Sequence, residues 1–278
     1  MKTKIKFSVR AIAVFLLLTL LLAGCIGPRQ EFDEANRGAS GNTSDTTAGS
    51  TESNSANIPT KTTPKKRVAL TYDDGPHNVY TKHIVDELSK YGAHATFFVV
   101  GNRVDGTAYN GKSGLQHAIS AGNEIGIHGY THEKYYDKCS DADYEAELSN
   151  TLNAIWDISP DTPVTQMRPV GGRISNTRAE DCEYAIIMWN VDSLDWKYKY
   201  SSSESADKKE ENLSIIVDNI MSNVTDGSII LMHDIYASTY DATVIILERL
   251  YAEGYEVVTV SELLGDELTG GITYYSKK

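Results

Sequence analysis

Thr71-Tyr72-Asp73-Asp74-Gly75-Pro76 places two adjacent carboxylates at the end of an apolar run, Val68-Ala69-Leu70 with Tyr72, closed by a Gly-Pro turn. Neighbouring acids repel each other, and burying both as anions is costly unless a cation or a shared proton intervenes. One carboxylate holding a metal while the other handles a proton resolves the conflict. Downstream, His128 and His132 are spaced i, i+4, which lets two imidazoles face one ion. With Asp74 they make two nitrogen donors and one oxygen. That set suits Zn²⁺ with positions left open for water and substrate, and cobalt or nickel fits the same donors. Arg168, Asp195 beside Trp196, and His233 add a cation, a further carboxylate and a proton donor. The chemistry these residues predict is metal-dependent hydrolysis.

Such groups work only if the fold brings them together. Apolar runs alternate with amphipathic stretches along the chain. Strands are predicted over 67–72, 95–100, 124–127, near 164–167, and over 185–189, 228–232 and 256–258. Helices are predicted over 80–91, 115–121, 141–158, 211–221 and 241–252. The alternation implies an α/β fold whose parallel strands are joined by helical crossovers, and about seven such strands can close as a barrel. On this map Asp73-Asp74, His128, Arg168, Asp192 to Trp196, and His233 each fall just past the carboxyl end of a strand. A parallel barrel delivers those ends to one rim. Asp192 and Asp234 read as structural, and His77, His83, His94 and His117 as surface or packing residues.

In this order the motifs resemble the polysaccharide deacetylase family, the NodB-type carbohydrate esterases. Thr71–Pro76 and the His128/His132 pair match its first two motifs. Arg168-Pro169-Val170-Gly171-Gly172 is similar to the third, Asp195-Trp196 to the fourth and Leu231-Met232-His233 to the fifth. The resemblance covers about Lys66 to Leu264 and implies a distorted (β/α) barrel. It implies that Asp74, His128 and His132 hold the metal, and that Asp73, kept ionised by Arg168, is the general base. His233, oriented and charged by Asp195, would be the general acid. The Gly171 N–H would face the oxyanion, while Trp196 and Leu231 shape a pocket for the acetyl methyl. Metal acidifies a water, Asp73 takes its proton, and His233 protonates the departing nitrogen.

The implied activity is removal of N-acetyl groups from N-acetylglucosamine-type residues of a cell-wall or related glycan, peptidoglycan or chitin-like. Two other readings stand beside it. One is an O-acetyl esterase of acetylated xylan-like glycans, and the other a non-catalytic carbohydrate-binding lipoprotein on the same barrel. Two departures from the family pattern are visible. Gly129 stands where a bracing Ser or Thr is common. Val170 and Gly171 stand where Pro and an aromatic are common, which predicts a groove without its aromatic wall.

The chain ends carry a separate message. Lys2, Lys4, Lys6 and Arg10 precede an apolar stretch, residues 11–22, too short for the ~20 residues of a membrane-spanning helix. Leu22-Ala23-Gly24-Cys25 follows. Together these predict an export signal over 1–25 ending in a lipoprotein box, with Cys25 lipidated. The chain would then be a lipoprotein anchored on the extracytoplasmic face of a membrane. Residues 26–64 are rich in small and polar types and read as a disordered tether. The folded domain then spans 65–278, with a short tail in which Ile272, Tyr274 and Tyr275 alternate as an edge strand would. Net charge is −12; taking four leader cations from 26 basic residues leaves 22 against 38 acidic, or −16. That excludes nucleic acid, whose binding is dominated by cationic contacts to phosphate. The expected partner is an acetylated polysaccharide, the expected state a monomer. Cys139 and Cys182 remain for a disulfide or for two free thiols.

Overall fold

Val68, Leu70 and Tyr72 are fully buried in one apolar cluster, and Ala69 in another. The first apolar run is therefore covered on both faces, as a parallel strand between helices and a barrel interior must be. In the computed structural model, which describes residues 66–106 and 110–277, that run is β1 (Lys66–Asp73). It is followed by α1 (Tyr80–Lys90), β2 (Thr96–Val99), α2 (Gly101–Val104), α3 (Lys112–Ser120) and β3 (Glu124–Ile127). Then come α4 (Asp141–Trp156), β4 (Gln166–Met167), α5 (Asn176–Glu180), β5 (Ala185–Ile187) and β6 (Val191–Asp192). The chain continues with α6 (Asp195–Tyr198), α7 (Ala206–Met221), β7 (Ile229–His233), α8 (Ala237–Ala252), β8 (Tyr255–Val257), α9 (Val260–Leu264) and β9 (Thr273–Tyr274). The predicted leader, Cys25 and the tether lie outside the described residues.

The nine strands among the described residues are all parallel, in the order β6-β7-β1-β2-β3-β4-β5-β9, and β8 pairs with the first residues of β1. The predicted α/β barrel is therefore present, curled rather than fully hydrogen-bonded. The tail lies against β5 and against the segment that leads into β7. β9 pairs with β5 through Ile187 and Tyr274, while Ser276 bridges to Ser228 and the Lys277 N–H donates to the Gly227 carbonyl. The alternation in the tail thus becomes a strand.

Register puts the chemistry on one rim. Asp73 stands opposite His233 on β7 and Phe98 beyond β2's midpoint, and Ile127 stands opposite Met167. His128 and Arg168 are the next residues of those last two strands. Side chains alternate across a strand, so Val68, Leu70 and Tyr72 pack toward the helices while Ala69, Thr71 and Asp73 face the interior.

Three helices, α3, α7 and α8, begin earlier than apolar spacing predicts, and for the last two the cause is local. α7 starts after Ser205, whose side chain accepts from the Lys208 N–H, ahead of an exposed polar turn with no apolar period. α8 starts at Ala237 because its first turn buries Ser238 and Thr239 rather than apolar residues. Thr239 is used by the site, as described next. The free thiols are separate: Cys182 is buried beside the Tyr144 hydroxyl at 3.4 Å and Cys139 lies 3.3 Å from an Arg178 nitrogen.

Candidate active site

Asp74, His128 and His132 offer ligand atoms that all lie within 4.8 Å of one another. His128 Nδ1 is 2.9 Å from the Arg168 carbonyl, which fixes the proton there and turns the Nε2 lone pair inward. His132 Nε2 lies 2.9 Å and His128 Nε2 3.4 Å from Asp74 Oδ1. That buried oxygen nevertheless has no hydrogen-bond donor aligned on it. Two ring nitrogens and an orphaned carboxylate oxygen converging on one point fit a divalent cation. Burial would raise the Asp74 carboxyl, but His128 and His132 outweigh it and hold the group well below the usual carboxylate range. Asp74 and His132 reach these positions through left-handed backbone, at φ 71° and 63°.

Asp73 lies beside this triad. Its Oδ1 accepts from Arg168 Nη1 at 2.8 Å, and its Oδ2 is 3.7 Å from His128 Nε2. Arg168 is fully buried, and its guanidinium donors all find short contacts. Nη1 also reaches Thr71 Oγ1 (2.8 Å), Nε the Ile187 carbonyl (2.8 Å) and Nη2 the Met188 carbonyl (2.9 Å). Its guanidinium lies 4.4 Å over the Phe98 ring. Such a network points the carboxylate one way only.

Across the sheet, Asp195 is fully buried and spends both oxygens on His233 and its surroundings. Oδ1 meets His233 Nδ1 at 2.7 Å and the Trp196 N–H at 2.8 Å. Oδ2 accepts from the His233 N–H (2.7 Å) and from Thr239 Oγ1 (2.6 Å). Burial would lower the His233 imidazolium, but Asp195 outweighs it and pushes the group up to about 9. His233 is therefore protonated at neutral pH, with Nε2 the ring nitrogen not taken by Asp195.

A cavity of about 290 Å³ joins these groups. Asp73, Asp74, His128, His132, Gly171, Trp196, Leu231 and His233 all line it. Arg168 and Asp195 do not; they are buried behind the wall and reach the cavity through Asp73 and His233. Asp192, read as structural, also lines the cavity, while its side chain accepts from the Leu194 N–H at 2.8 Å. Asp234 is buried on Thr81 Oγ1, and burial pushes its carboxyl up to about 7. His77 caps the start of α1, and His117 pairs with Asp86 at the surface.

Sequence reasoning missed Glu147. This buried α4 residue accepts from the Tyr130 N–H (2.6 Å), the Thr131 N–H (2.9 Å) and Thr131 Oγ1 (2.6 Å). It thereby ties down the loop between the two histidines. Gly129 makes room for it: at φ 85°, a Cβ there would sit 2.7 Å from Tyr136 Oη and 2.9 Å from Glu147 Oε2. The brace expected from a hydroxyl at 129 comes instead from a carboxylate on the helix. The available signal was a charged residue on the buried stripe formed with Thr151, Ala154 and Ile155. Glu147→Ala should weaken metal affinity on the order of tenfold, read by competition with a chelator. Unchanged affinity would show that the loop holds itself.

The missing aromatic wall is likewise replaced. Tyr135 and Trp189 line the cavity, and each stands where a Cβ on Gly171 or Gly172 would touch its ring, at 3.3 and 3.1 Å. Arg173 lies 4.3 Å over the Tyr135 ring. The expectation of an unwalled groove is corrected on that point.

Comparison with known proteins places this arrangement. The sequence model described as polysaccharide deacetylase matches residues 60–187. The peptidoglycan-N-acetylglucosamine deacetylase PgdA of Listeria monocytogenes serotype 1/2a is 32% identical over 212 residues, 76% of this chain and 42% of that protein. The chain thus spans about two fifths of that relative's length. The structure of peptidoglycan deacetylase PdaC from Bacillus subtilis superposes with a TM-score of 0.63 at 36% identity, covering 72% of this chain and 90% of that one. A family 4 acetyl xylan esterase from Clostridium thermocellum, solved with a cobalt ion, has a TM-score of 0.64 at 29% identity, covering 76% and 98%. Sequence model, relatives and fold agree with the motifs that the rim assembles: this chain belongs to the polysaccharide deacetylase family.

Proposed function

We propose that this protein is a metal-dependent deacetylase that hydrolyses N-acetyl groups on N-acetylglucosamine-type residues of a cell-wall glycan, peptidoglycan or a chitin-like chain. The observation that carries the reading is the placement of Asp73, beside the Asp74–His128–His132 triad, opposite His233 in the sheet register, with Asp195 holding the His233 ring. Asp74, His128 and His132 would hold the cation, with Zn²⁺ the first choice for two nitrogens and one oxygen and cobalt or nickel as substitutes. When bound, the cation supplies Lewis acidity and lowers the pKa of water.

The chain's own groups do the rest. Asp73 accepts the proton of the attacking water, held in line by Arg168. Gly171 sits in the wall where its N–H can stabilise the oxyanion, and Trp196 with Leu231 offers the acetyl methyl an apolar surface. His233 delivers its Nε2 proton to the amide nitrogen as the carbon–nitrogen bond breaks, leaving acetate and a free amine. Arg168 and Asp195 are positioning residues, since neither touches the cavity.

The acid has a pH signature. His233 must be protonated, so activity should fall as pH rises through its pKa. Without metal the group is pushed up to about 9, so with the cation bound the limb should lie below that, because a nearby cation opposes imidazolium. Asp195→Asn removes the largest influence raising His233 and should move the alkaline limb of kcat/KM to lower pH. A limb that stays in place would assign it to another group.

Likeness to an acetyl xylan esterase favours a second reading, an O-acetyl esterase. An alkoxide leaves more easily than an amide anion, so an ester needs the acid less. Acetate release from chito-oligosaccharides, peptidoglycan and acetylated xylan, measured after chelation and after Zn²⁺ return, tests both. Metal-restored release from the amide substrates supports the N-deacetylase. Release from xylan alone, barely reduced by His233→Gln, supports the esterase. No release from any of them, with metal bound, would sink both. The proposal extends to a lipid anchor at Cys25 on the extracytoplasmic face. Retention in the membrane fraction, lost in Cys25→Ser, tests it.

A further inference from the structure

The cavity over the triad does not end at its wall. A second cavity of about 320 Å³ is lined by Gly171, Gly172, Met188, Trp189 and Tyr275, and it shares Gly171, Gly172 and Trp189 with the first. The ridge between them is two glycines and an indole. Both glycines have positive φ, 60° and 68°, and neither has a side chain to raise the ridge or cover the neighbouring ring. A Cβ on Gly172 would meet Trp189 at 3.1 Å. Trp189 is fixed from behind by the buried Arg168 guanidinium, 5.5 Å from its ring centre.

The far side is built by the tail. Tyr275 follows β9, and the backbone is held on both sides of it by the Ile187–Tyr274 pairing and the Ser228–Ser276 bridge. Its side chain is nevertheless 57% exposed. An exposed ring on a pinned backbone is presented at little entropic cost, as a contact surface requires. No lining residue of this second cavity is charged, although the chain as a whole carries −12.

We infer that the second cavity is a subsite for the neighbouring sugar of the glycan, an uncharged N-acetylated pyranose laid against Trp189 and Tyr275 while its partner occupies the metal cavity. Pyranose rings have apolar C–H faces, and aromatic side chains with a few polar groups nearby are what such a face needs. The low glycine ridge leaves passage for the glycosidic link, which is why the occupant is the next residue of the same chain. The identity of this ligand rests on the deacetylase reading.

The test uses the purified protein with N-acetylglucosamine and its β-linked oligomers up to the hexamer. For Tyr275→Ala, the ratio of kcat/KM for the tetramer to that for the monosaccharide should fall about fivefold, the effect of one lost aromatic contact near 1 kcal/mol. Tyr275→Phe should restore it. Calorimetric titration of the same sugars into metal-stripped protein should show the same fall in the affinity ratio. A ratio unchanged in Tyr275→Ala, whether both sugars lose equally or neither loses, overturns the subsite. If the wild type releases no acetate from any oligomer, the deacetylase reading fails by itself, and the calorimetric ratio still decides the subsite.

Discussion

Asp73→Asn is expected to lower kcat for acetate release by about 10²–10⁴-fold, the range for loss of a positioned general base, while metal stays bound and the fold stays intact. The substitution is conservative where it needs to be. Asparagine keeps an Oδ1 that can accept from Arg168 Nη1, now at 2.8 Å, so the buried guanidinium keeps that hydrogen bond while losing its counter-charge. What disappears is a basic oxygen in the cavity beside the triad. Asp73 is not among the three convergent ligand residues, so a metal titration should show near-normal stoichiometry. KM should change little, because the acetyl group makes its apolar contacts elsewhere. Steady-state kinetics and metal titration on one preparation check this. A loss smaller than tenfold would mean that another group takes the proton and that Asp73 is only a partner for Arg168.

Arg168→Met should have the largest effect on stability. The wild-type guanidinium is 0% exposed, the Asp73 side chain 5%. Replacing a buried ion pair as a whole is often neutral, but removing one partner strands the other, at about 3–5 kcal/mol. Here the loss also frees Thr71 Oγ1 and the carbonyls of Ile187 and Met188, which tie β1 to the end of β5 through the barrel interior. For a domain of this size the fall in Tm should be roughly 6–20 °C, measured on metal-stripped protein so that lost metal binding does not contribute. The double variant Asp73→Asn/Arg168→Met should recover part of it, since the stranded charge is then gone. An unchanged Tm in the single variant would refute the account of Arg168 as the interior clasp.

Lys90 and Glu87 illustrate the other extreme. Their pair on α1 leaves the lysine largely in solvent, where such contacts are worth little.

The sequence by itself determined which residues meet at that rim, and for a local reason. Side-chain periods of 2 and 3.6 residues are written along the chain, so the strand containing Val68–Tyr72 and the helix containing Ile84, Val85 and Leu88 were both legible. Once strands are parallel, their carboxyl ends must lie together, and Asp73, Asp74, His128, Arg168 and His233 follow those ends. What strand periodicity could not reveal was contact between elements distant in sequence. Glu147 braces the histidine loop only because α4 packs with that face inward. Thr239 serves Asp195 from the polar first turn of a helix whose apolar spacing starts later. Trp189 sits past the end of β5 at Ile187, where the predicted strand ran on. Tyr275 reaches the groove only because β9 pairs with β5 and Ser276, just after it, bridges to Ser228. In each case the deciding quantity is a rotation or a register between elements. Packing of the whole core sets these, and no local window of sequence contains them.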